Sequence, residues 1–269
     1  ITRLEEYYPT RRERAILTAR AAEIAALTGA QTLVELGAGS GEKTRLLLDA
    51  LPVLTYVPVD VSGEFLADAA AKLAAEYPDL AVRPVVADFG SQLALLPAGP
   101  RKLVVFLGGT IGNLTPAERA AFFAAVRSIL GPDDAFLLGA DLVKDPGRLV
   151  RAYDDAAGVT AEFNKNVLRV INQRLAADFD PACFEHIAVW DETHEWIEMR
   201  LRSRARQEVR IEALNLTVRF ADTEELRTEI SAKFRRDGLA AELAGAGLGL
   251  SEFWTDPDGD FSLSLAHPR

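Results

Sequence analysis

One stretch constrains this chain more than any other: an apolar run, Leu33-Val34-Glu35-Leu36, passes through three alternating glycines, Gly37, Gly39 and Gly41, into a helical pattern at 44–50. This reads as a parallel strand, a tight turn and the start of a helix. Glycine has no Cβ, so the turn can bring backbone N–H groups against a ligand, and the helix N-terminus behind it favours negative charge. Ligands bind at such places in doubly wound sheets.

The rest of the first half repeats the alternation. Strands are expected at 54–59, ending at Asp60; at 81–87, ending in Asp88-Phe89; at 102–107, running into Gly108-Gly109-Thr110-Ile111-Gly112-Asn113; and at 135–140. Between them lie helices with recognisable starts. Thr10 and Glu13 have capping-box spacing and Gly29 stops that helix, Ser62 is placed to cap another, and Thr115-Pro116-Ala117-Glu118 combines an N-cap, a proline at the first position and a capping glutamate. Strand and helix in alternation predict a Rossmann-like α/β fold with a mostly parallel sheet.

Beyond Asp141 the pattern changes. Residues 148–175 are largely helical, and strand-like stretches at 184–190, 195–202 and 208–220, the last with a bulge near Asn215, suggest an antiparallel meander. A helix at 236–246 and strands at 250–255 and 260–265, joined by Asp256-Pro257-Asp258-Gly259, close the chain with an antiparallel hairpin. The expected division is a cofactor-binding domain at 10–143 and 233–269, and an inserted α+β substrate-binding domain at 1–9 and 144–232.

Composition excludes other classes. Forty acidic against thirty basic residues give a net charge of −10, which repels phosphate backbones and anionic lipid, so neither nucleic acid nor membrane is an expected partner. Apolar runs are strand-sized, far below the roughly 18 residues of a membrane helix. One cysteine, Cys183, read as a small core residue, allows no internal disulfide and fits a reducing cytosol. His186, His194 and His267 are too scattered for a metal site, and no metal is expected. The chain begins at Ile1 rather than Met, so an upstream segment is expected, either removed or lying outside this sequence.

Spacing identifies the cofactor class. A dinucleotide fingerprint wants its third glycine at 42, where this chain has Glu42, whereas Glu-x-Gly-x-Gly-x-Gly with an acidic residue about 20 positions on, here Asp60, is the arrangement of class I enzymes that use S-adenosylmethionine (SAM). Gly37 and Gly39 would hold its methionine end, Lys43 its carboxylate, Asp60 the ribose hydroxyls, and Asp88 with Phe89 the adenine. Each has a plain structural alternative: Asp60 and Asp88 as helix N-caps, Lys43 as a solvated helix residue.

Several strings go further: Glu6-Tyr7-Tyr8-Pro9-Thr10-Arg11, Phe106-Leu107-Gly108-Gly109-Thr110-Ile111-Gly112-Asn113-Leu114-Thr115, Asp141-Leu142-Val143-Lys144-Asp145, Arg151-Ala152-Tyr153-Asp154-Asp155 and Phe163-Asn164-Lys165-Asn166-Val167-Leu168. Over its whole length the chain resembles the SAM-dependent L-histidine Nα-methyltransferases of ergothioneine biosynthesis. That resemblance implies conversion of L-histidine, through its mono- and dimethylated forms, to trimethylhistidine (hercynine), with S-adenosylhomocysteine as by-product, by a cytoplasmic monomer. It places the amino acid's backbone end on Asn113 and Tyr153, the growing ammonium near Gly108, and the imidazole on Tyr7, Glu229 and Ser231, with Met199 as an apolar wall. Without it, Asn113 reads as a turn residue, Tyr153 and Met199 as core, and Glu229 and Ser231 as a surface strand. Family members carry a longer N-terminal segment that contributes to the histidine pocket. No dedicated catalytic base stands out. The alternatives are a SAM-dependent N-methyltransferase of another amino acid, or a truncated SAM-binding domain with little activity.

Overall fold

The computed structural model of the chain describes residues 1–39, 41–88, 92–97 and 99–269. They divide into two compact units, Pro9–Val143 with Phe234–Arg269, and Ile1–Tyr8 with Lys144–Lys233.

The larger unit is built on an eight-stranded sheet. Its strands are β1 (Thr32–Leu36), β2 (Thr55–Asp60), β3 (Ala81–Val82), β4 (Val85–Val86), β5 (Lys102–Phe106), β6 (Ala135–Asp141), β12 (Leu248–Thr255) and β13 (Phe261–Pro268). They run in the order β12-β13-β6-β5-β1-β2-β3, with β4 also on β2. The pairs among β1 to β6 are parallel, and β13 lies antiparallel between β6 and β12. Every residue of β1 and β6 is buried, as expected of strands covered on both faces. Helices α1 (Pro9–Thr28), α2 (Glu42–Leu48), α3 (Gly63–Glu76), α4 (Pro116–Ile129) and α7 (Arg236–Gly245) complete the unit. Its core joins Ile16, Leu17 and Ile24 of α1 to Leu33, Leu103, Val105, Leu137 and Leu263 of the sheet.

The smaller unit has a three-stranded antiparallel sheet of β7 (Phe184–Asp191), β8 (Trp196–Ser203) and β11 (Glu225–Ala232), in the order β11-β8-β7, and a separate hairpin of β9 (Gln207–Ile211) and β10 (Leu216–Phe220). Helices α5 (Pro146–Tyr153) and α6 (Val159–Leu175) accompany them. Phe179, Phe184, Leu201, Val209 and Phe220 form one apolar cluster; Tyr8, Leu149, Tyr153, Ile197 and Met199 form another. No helix among the described residues is long and apolar enough to cross a membrane.

Several local expectations are corrected. The strand at 81–87 is two short pieces, because Pro84 between them has no N–H to give a ladder. The stretch 208–220 is a hairpin rather than one bulged strand: Asn215, at φ 47°, takes the left-handed conformation that its short polar side chain tolerates. The helical run 148–175 breaks after Tyr153. There Gly158 has φ 73°, and the Asp155 carboxylate accepts the N–H groups of Val159 and Thr160 at 3.0 and 2.7 Å, starting α6 afresh. Cys183 is half-buried at the edge of its cluster, its thiol donating to Asp180 at 3.3 Å. The Thr115–Glu118 capping box forms as read.

The chain leaves the larger unit after Val143 and re-enters it at Phe234. The two segments meet there: the Phe234 N–H donates to the Asp141 carbonyl at 2.9 Å and the Val143 N–H to the Phe234 carbonyl at 3.1 Å.

Candidate active site

In the larger unit the sheet register assembles the site. Leu36 lies level with Val59 on β2 and with Phe106 on β5, so the three strands end at one edge and deliver Gly37, Asp60 and the Leu107-Gly108 turn there. The strand order reverses at β1, between β2 and β5, which is where open α/β sheets bind ligands. The Gly37 N–H donates to the Val59 carbonyl at 2.8 Å. Gly37, Gly39 and Gly41 have φ of 73°, 51° and 68°, and no described atom lies within 4 Å of the Cβ position at Gly37.

Beneath this turn is a buried carboxylate. Glu35 accepts the hydroxyls of Thr44 and Tyr56, each at 2.5 Å, tying β1 to α2 and β2. Burial pushes its carboxyl above the usual carboxylate range, against the pull of the two hydroxyls and Lys43.

Lys43 does not lie along a solvated helix face. Its ammonium pairs with Glu13 of α1, and the Glu13 carboxylate accepts the Gly108 N–H with both oxygens, at 2.8 and 3.0 Å. The expected Thr10–Glu13 capping box is therefore absent, because Glu13 is drawn inward and fully buried. Gly139 makes room for it: a Cβ there would lie 2.0 Å from Glu13 Oε1. Glu13 was invisible as a site residue in the sequence, where its spacing to Thr10 suggested a local role.

Asp60 uses one oxygen in its own turn, accepting the Ser62 N–H at 3.0 Å; Ser62 itself makes no side-chain cap to α3, contrary to expectation. Asp88 is exposed, with its N–H on Gln92 Oε1 at 2.9 Å. Phe89 lies outside the described residues. Gly108 and Gly109 have φ of 85° and 70°, and Asn113 is exposed at the end of the short helical turn Thr110–Asn113 that follows. The open turn at Gly37 and the second Asp60 oxygen, which takes no part in the turn, fit a ligand with a backbone-binding end and a ribose.

In the smaller unit five of the expected residues come together. Tyr7 stands edge-on to Tyr153 with ring centroids 6.1 Å apart, and packs against the cluster that contains Met199 and Tyr153. Glu229 is level with Met199, and Ser231 with Ile197, across the β8–β11 pair. Tyr153 and Ser231 share a hydrogen bond of 2.7 Å. Glu229 accepts no hydrogen bond from the described residues. Burial raises its carboxyl above the ordinary range, and the Lys233 charge opposes the rise.

Two supports escaped the sequence reading. Lys233, only 4% exposed, donates to Tyr153 Oη and Ser231 Oγ, both at 2.9 Å. His186, expected as a surface or strand residue, is a buried strand residue whose Nε2 lies 2.8 Å from the Tyr153 carbonyl and whose Nδ1 lies 2.9 Å from Asn164 Nδ2. That amide nitrogen also reaches the Arg200 carbonyl at 3.2 Å, so it is a donor. Nδ1 therefore accepts and Nε2 carries the proton that holds Tyr153. The signal for Lys233 was present, since 229, 231 and 233 share one face of an extended segment.

A glycine turn at the reversal point of a mostly parallel sheet, an acidic residue ending the second strand and a terminal antiparallel hairpin define the class I SAM-dependent methyltransferases. The fold is shared with an S-adenosylmethionine-dependent methyltransferase from Clostridium acetobutylicum ATCC 824, at a TM-score of 0.55 and 12% identity over 95% of this chain and 92% of that one. The family described as histidine-specific, SAM-dependent methyltransferases matches residues 1–268, and the chain belongs to it. It is 57% identical to the histidine N-alpha-methyltransferase of Mycolicibacterium smegmatis (strain ATCC 700084 / mc(2)155) and 54% identical to that of Mycobacterium tuberculosis (strain CDC 1551 / Oshkosh). Each match spans 270 residues, 99% of this chain and 84% of the relative. The protein is thus a SAM-dependent enzyme of the methyltransferase class.

Proposed function

We propose that this enzyme methylates the α-amine of L-histidine, up to three times, giving trimethylhistidine for ergothioneine biosynthesis. The observation that carries this reading is the cluster of Tyr7, Tyr153, Met199, Glu229 and Ser231 in the smaller unit, the residues assigned to the histidine side chain and backbone end. Glu229 accepts from one ring nitrogen and Ser231 serves the other. A side chain without those nitrogens leaves a buried carboxylate unpaired, which costs about 1–3 kcal/mol. The family resemblance assigns the amino acid's backbone end to Asn113 and to Tyr153, and the growing ammonium to Gly108.

The larger unit holds the cofactor and the smaller recognises the amino acid. Gly37 and Gly39 present backbone N–H groups to the methionine end, Lys43 lies by its carboxylate under the control of Glu13, Asp60 accepts from the ribose, and Asp88 with Phe89 serves the adenine. When bound, SAM supplies an electrophilic methyl group. The chain's own residues align the α-amine and exclude water. An α-amine attacks only when unprotonated, and its ordinary pKa is about 8 in peptides. With no dedicated base in this reading, the rate rises with pH through that range. The resemblance adds a cytoplasmic monomer, the second part of which sedimentation tests.

The test is titration of L-histidine and dimethylhistidine into protein saturated with S-adenosylhomocysteine, followed by mass spectrometry of a SAM reaction. Binding and gains of one to three methyl groups support the proposal. Cofactor binding with no response to histidine, but with a response to another amino acid, overturns it.

A further inference from the structure

Strand β11 changes face in its middle. Glu225, Leu226 and Arg227 pair with Arg202, Leu201 and Arg200 of β8 in regular antiparallel steps, but the next pairs are Glu229 with Met199 and Ser231 with Ile197. Thr228 is therefore an extra residue, a β-bulge. Side chains alternate along a strand, so one residue of slip exchanges the two faces. In an unbroken ladder Glu229 would stand opposite Glu198 and Ser231 opposite Trp196. Glu198 already has its partners there: it accepts from Trp196 Nε1 at 3.0 Å, from Arg200 Nε at 2.8 Å and from Arg227 at 2.8 Å. The bulge instead sets Glu229 and Ser231 level with Met199 and Ile197, on the face where those two side chains cluster with Tyr153.

A hydrogen-bond network of fixed direction holds the bulge. Asn164 of α6 is buried, and its Nδ2 donates to the Arg200 carbonyl at 3.2 Å, which leaves Oδ1 as the acceptor. Thr228 Oγ1 lies 2.6 Å from that Oδ1 and 2.9 Å from the Met199 carbonyl, so its proton goes to acceptors on α6 and β8. Asn164 Nδ2 also donates to His186 Nδ1 at 2.9 Å, and His186 Nε2 donates to the Tyr153 carbonyl at 2.8 Å. The donors thus run in one sense, from Thr228 through Asn164 and His186 to the main chain of Tyr153. A buried, directed network of this kind selects one arrangement over its neighbours.

We propose that Thr228 and Asn164 are positioning residues for recognition of the amino-acid side chain: the hydrogen bond between them pins the bulge, and the pinned bulge turns Glu229 and Ser231 toward the substrate. The inference rests on the histidine reading above for the identity of that substrate. Neither residue needs to touch it. They act by deciding which face of β11 the carboxylate and the hydroxyl occupy.

Two substitutions separate the pin from simple packing. Thr228→Val keeps the β-branched shape and removes the hydroxyl, whereas Thr228→Ser keeps the hydroxyl and removes the methyl group. Each is compared with the wild type in steady-state kinetics with histidine, in calorimetry with S-adenosylhomocysteine, and in cross-strand NMR contacts of Glu229. Thr228→Val is expected to raise KM for histidine about tenfold, to leave kcat and S-adenosylhomocysteine affinity within about twofold, and to lose the contact between Glu229 and Met199. Thr228→Ser keeps that contact and stays within about threefold of the wild-type KM. Wild-type KM and contact in Thr228→Val, or equal damage in Thr228→Ser, overturns the proposal. Asn164→Leu, which leaves β11 itself unaltered, is the second variant if Thr228→Val does not fold, and the same split is expected of it. A wild-type spectrum that pairs Glu229 with Glu198 refutes the bulge without any variant. If the wild type binds S-adenosylhomocysteine but no histidine, the histidine reading fails, and the Glu229 contacts of Thr228→Val and Thr228→Ser still decide the pin.

Discussion

Glu13 grips the backbone N–H of Gly108 with both carboxylate oxygens while pairing with the Lys43 ammonium. One buried side chain thus fixes a residue of the turn after β5 and the lysine that follows the glycine turn of β1. Glu13→Ala strands the Gly108 N–H and a mostly buried ammonium, and is expected to cost on the order of 3 kcal/mol. Gly139→Ala, whose methyl group would occupy the place of Glu13 Oε1, is expected to destabilise to a similar degree. Glu13→Gln keeps an acceptor for Gly108 and should lose less, yet weaken S-adenosylhomocysteine binding by releasing Lys43. Thermal melts and calorimetry of the three variants separate these effects.

The proposed function gives the two oxygens of Asp60 separable duties, one in its own turn and one toward the ribose. Asp60→Asn retains an acceptor for the Ser62 N–H, so melting should shift by less than about 1 kcal/mol, while cofactor affinity falls about tenfold or more as a charged acceptor is lost. Equal affinity for S-adenosylhomocysteine in wild type and variant would remove Asp60 from the ribose site.

Glu229 tests the electrostatics of the smaller unit. Burial lifts its carboxyl in the folded chain, with Lys233 opposing. The folded state therefore prefers the protonated acid. That preference favours folding below the unfolded value of about 4.3 and is lost as pH rises through the higher folded one, so at neutral pH the ionised carboxylate is a burden. Glu229→Gln should raise the melting temperature at pH 7 by roughly 2–4 °C, narrow the gap at pH 4, and abolish measurable histidine binding. A variant melting below the wild type at pH 7 contradicts this.

His186 should matter through Tyr153. His186→Ala removes the donor to the Tyr153 carbonyl and leaves Asn164 short of an acceptor, at a cost of about 2 kcal/mol. The expected kinetic signature is a higher KM for histidine with unchanged affinity for S-adenosylhomocysteine. A loss of cofactor affinity of the same size would mean general unfolding rather than displacement of Tyr153.

What the sequence disclosed, and what it withheld, follows the range of the interactions. Strands β1, β5 and β6 announce themselves as continuous apolar runs because both faces are buried, and the Thr115 cap is local in sequence. Glu13 and Gly108 are separated by 95 positions, and nothing within a helical window distinguishes a glutamate that caps its own helix from one that reaches across a sheet. Lys233 shares the face of Glu229 and Ser231, but nothing local marks it as a support because its partner Tyr153 is 80 positions away. The interruption at Pro84 and the left-handed Asn215 were legible residue types whose consequence was underestimated. The roles assigned to the site residues came from the family resemblance; composition and periodicity alone left Asn113, Tyr153 and Met199 as turn and core.

The hydrogen-bonded meeting of Phe234 with Asp141 and Val143 makes the ninety-residue excursion between Val143 and Phe234 a side branch with adjoining roots. Its length and sequence can drift without re-threading the parallel sheet, since the sheet needs only that the two ends stay stitched. The sheet frame and the branch, to which the proposed function gives cofactor binding and amino-acid recognition respectively, are thereby free to evolve at different rates, and grafting a foreign branch between those two positions would test that division.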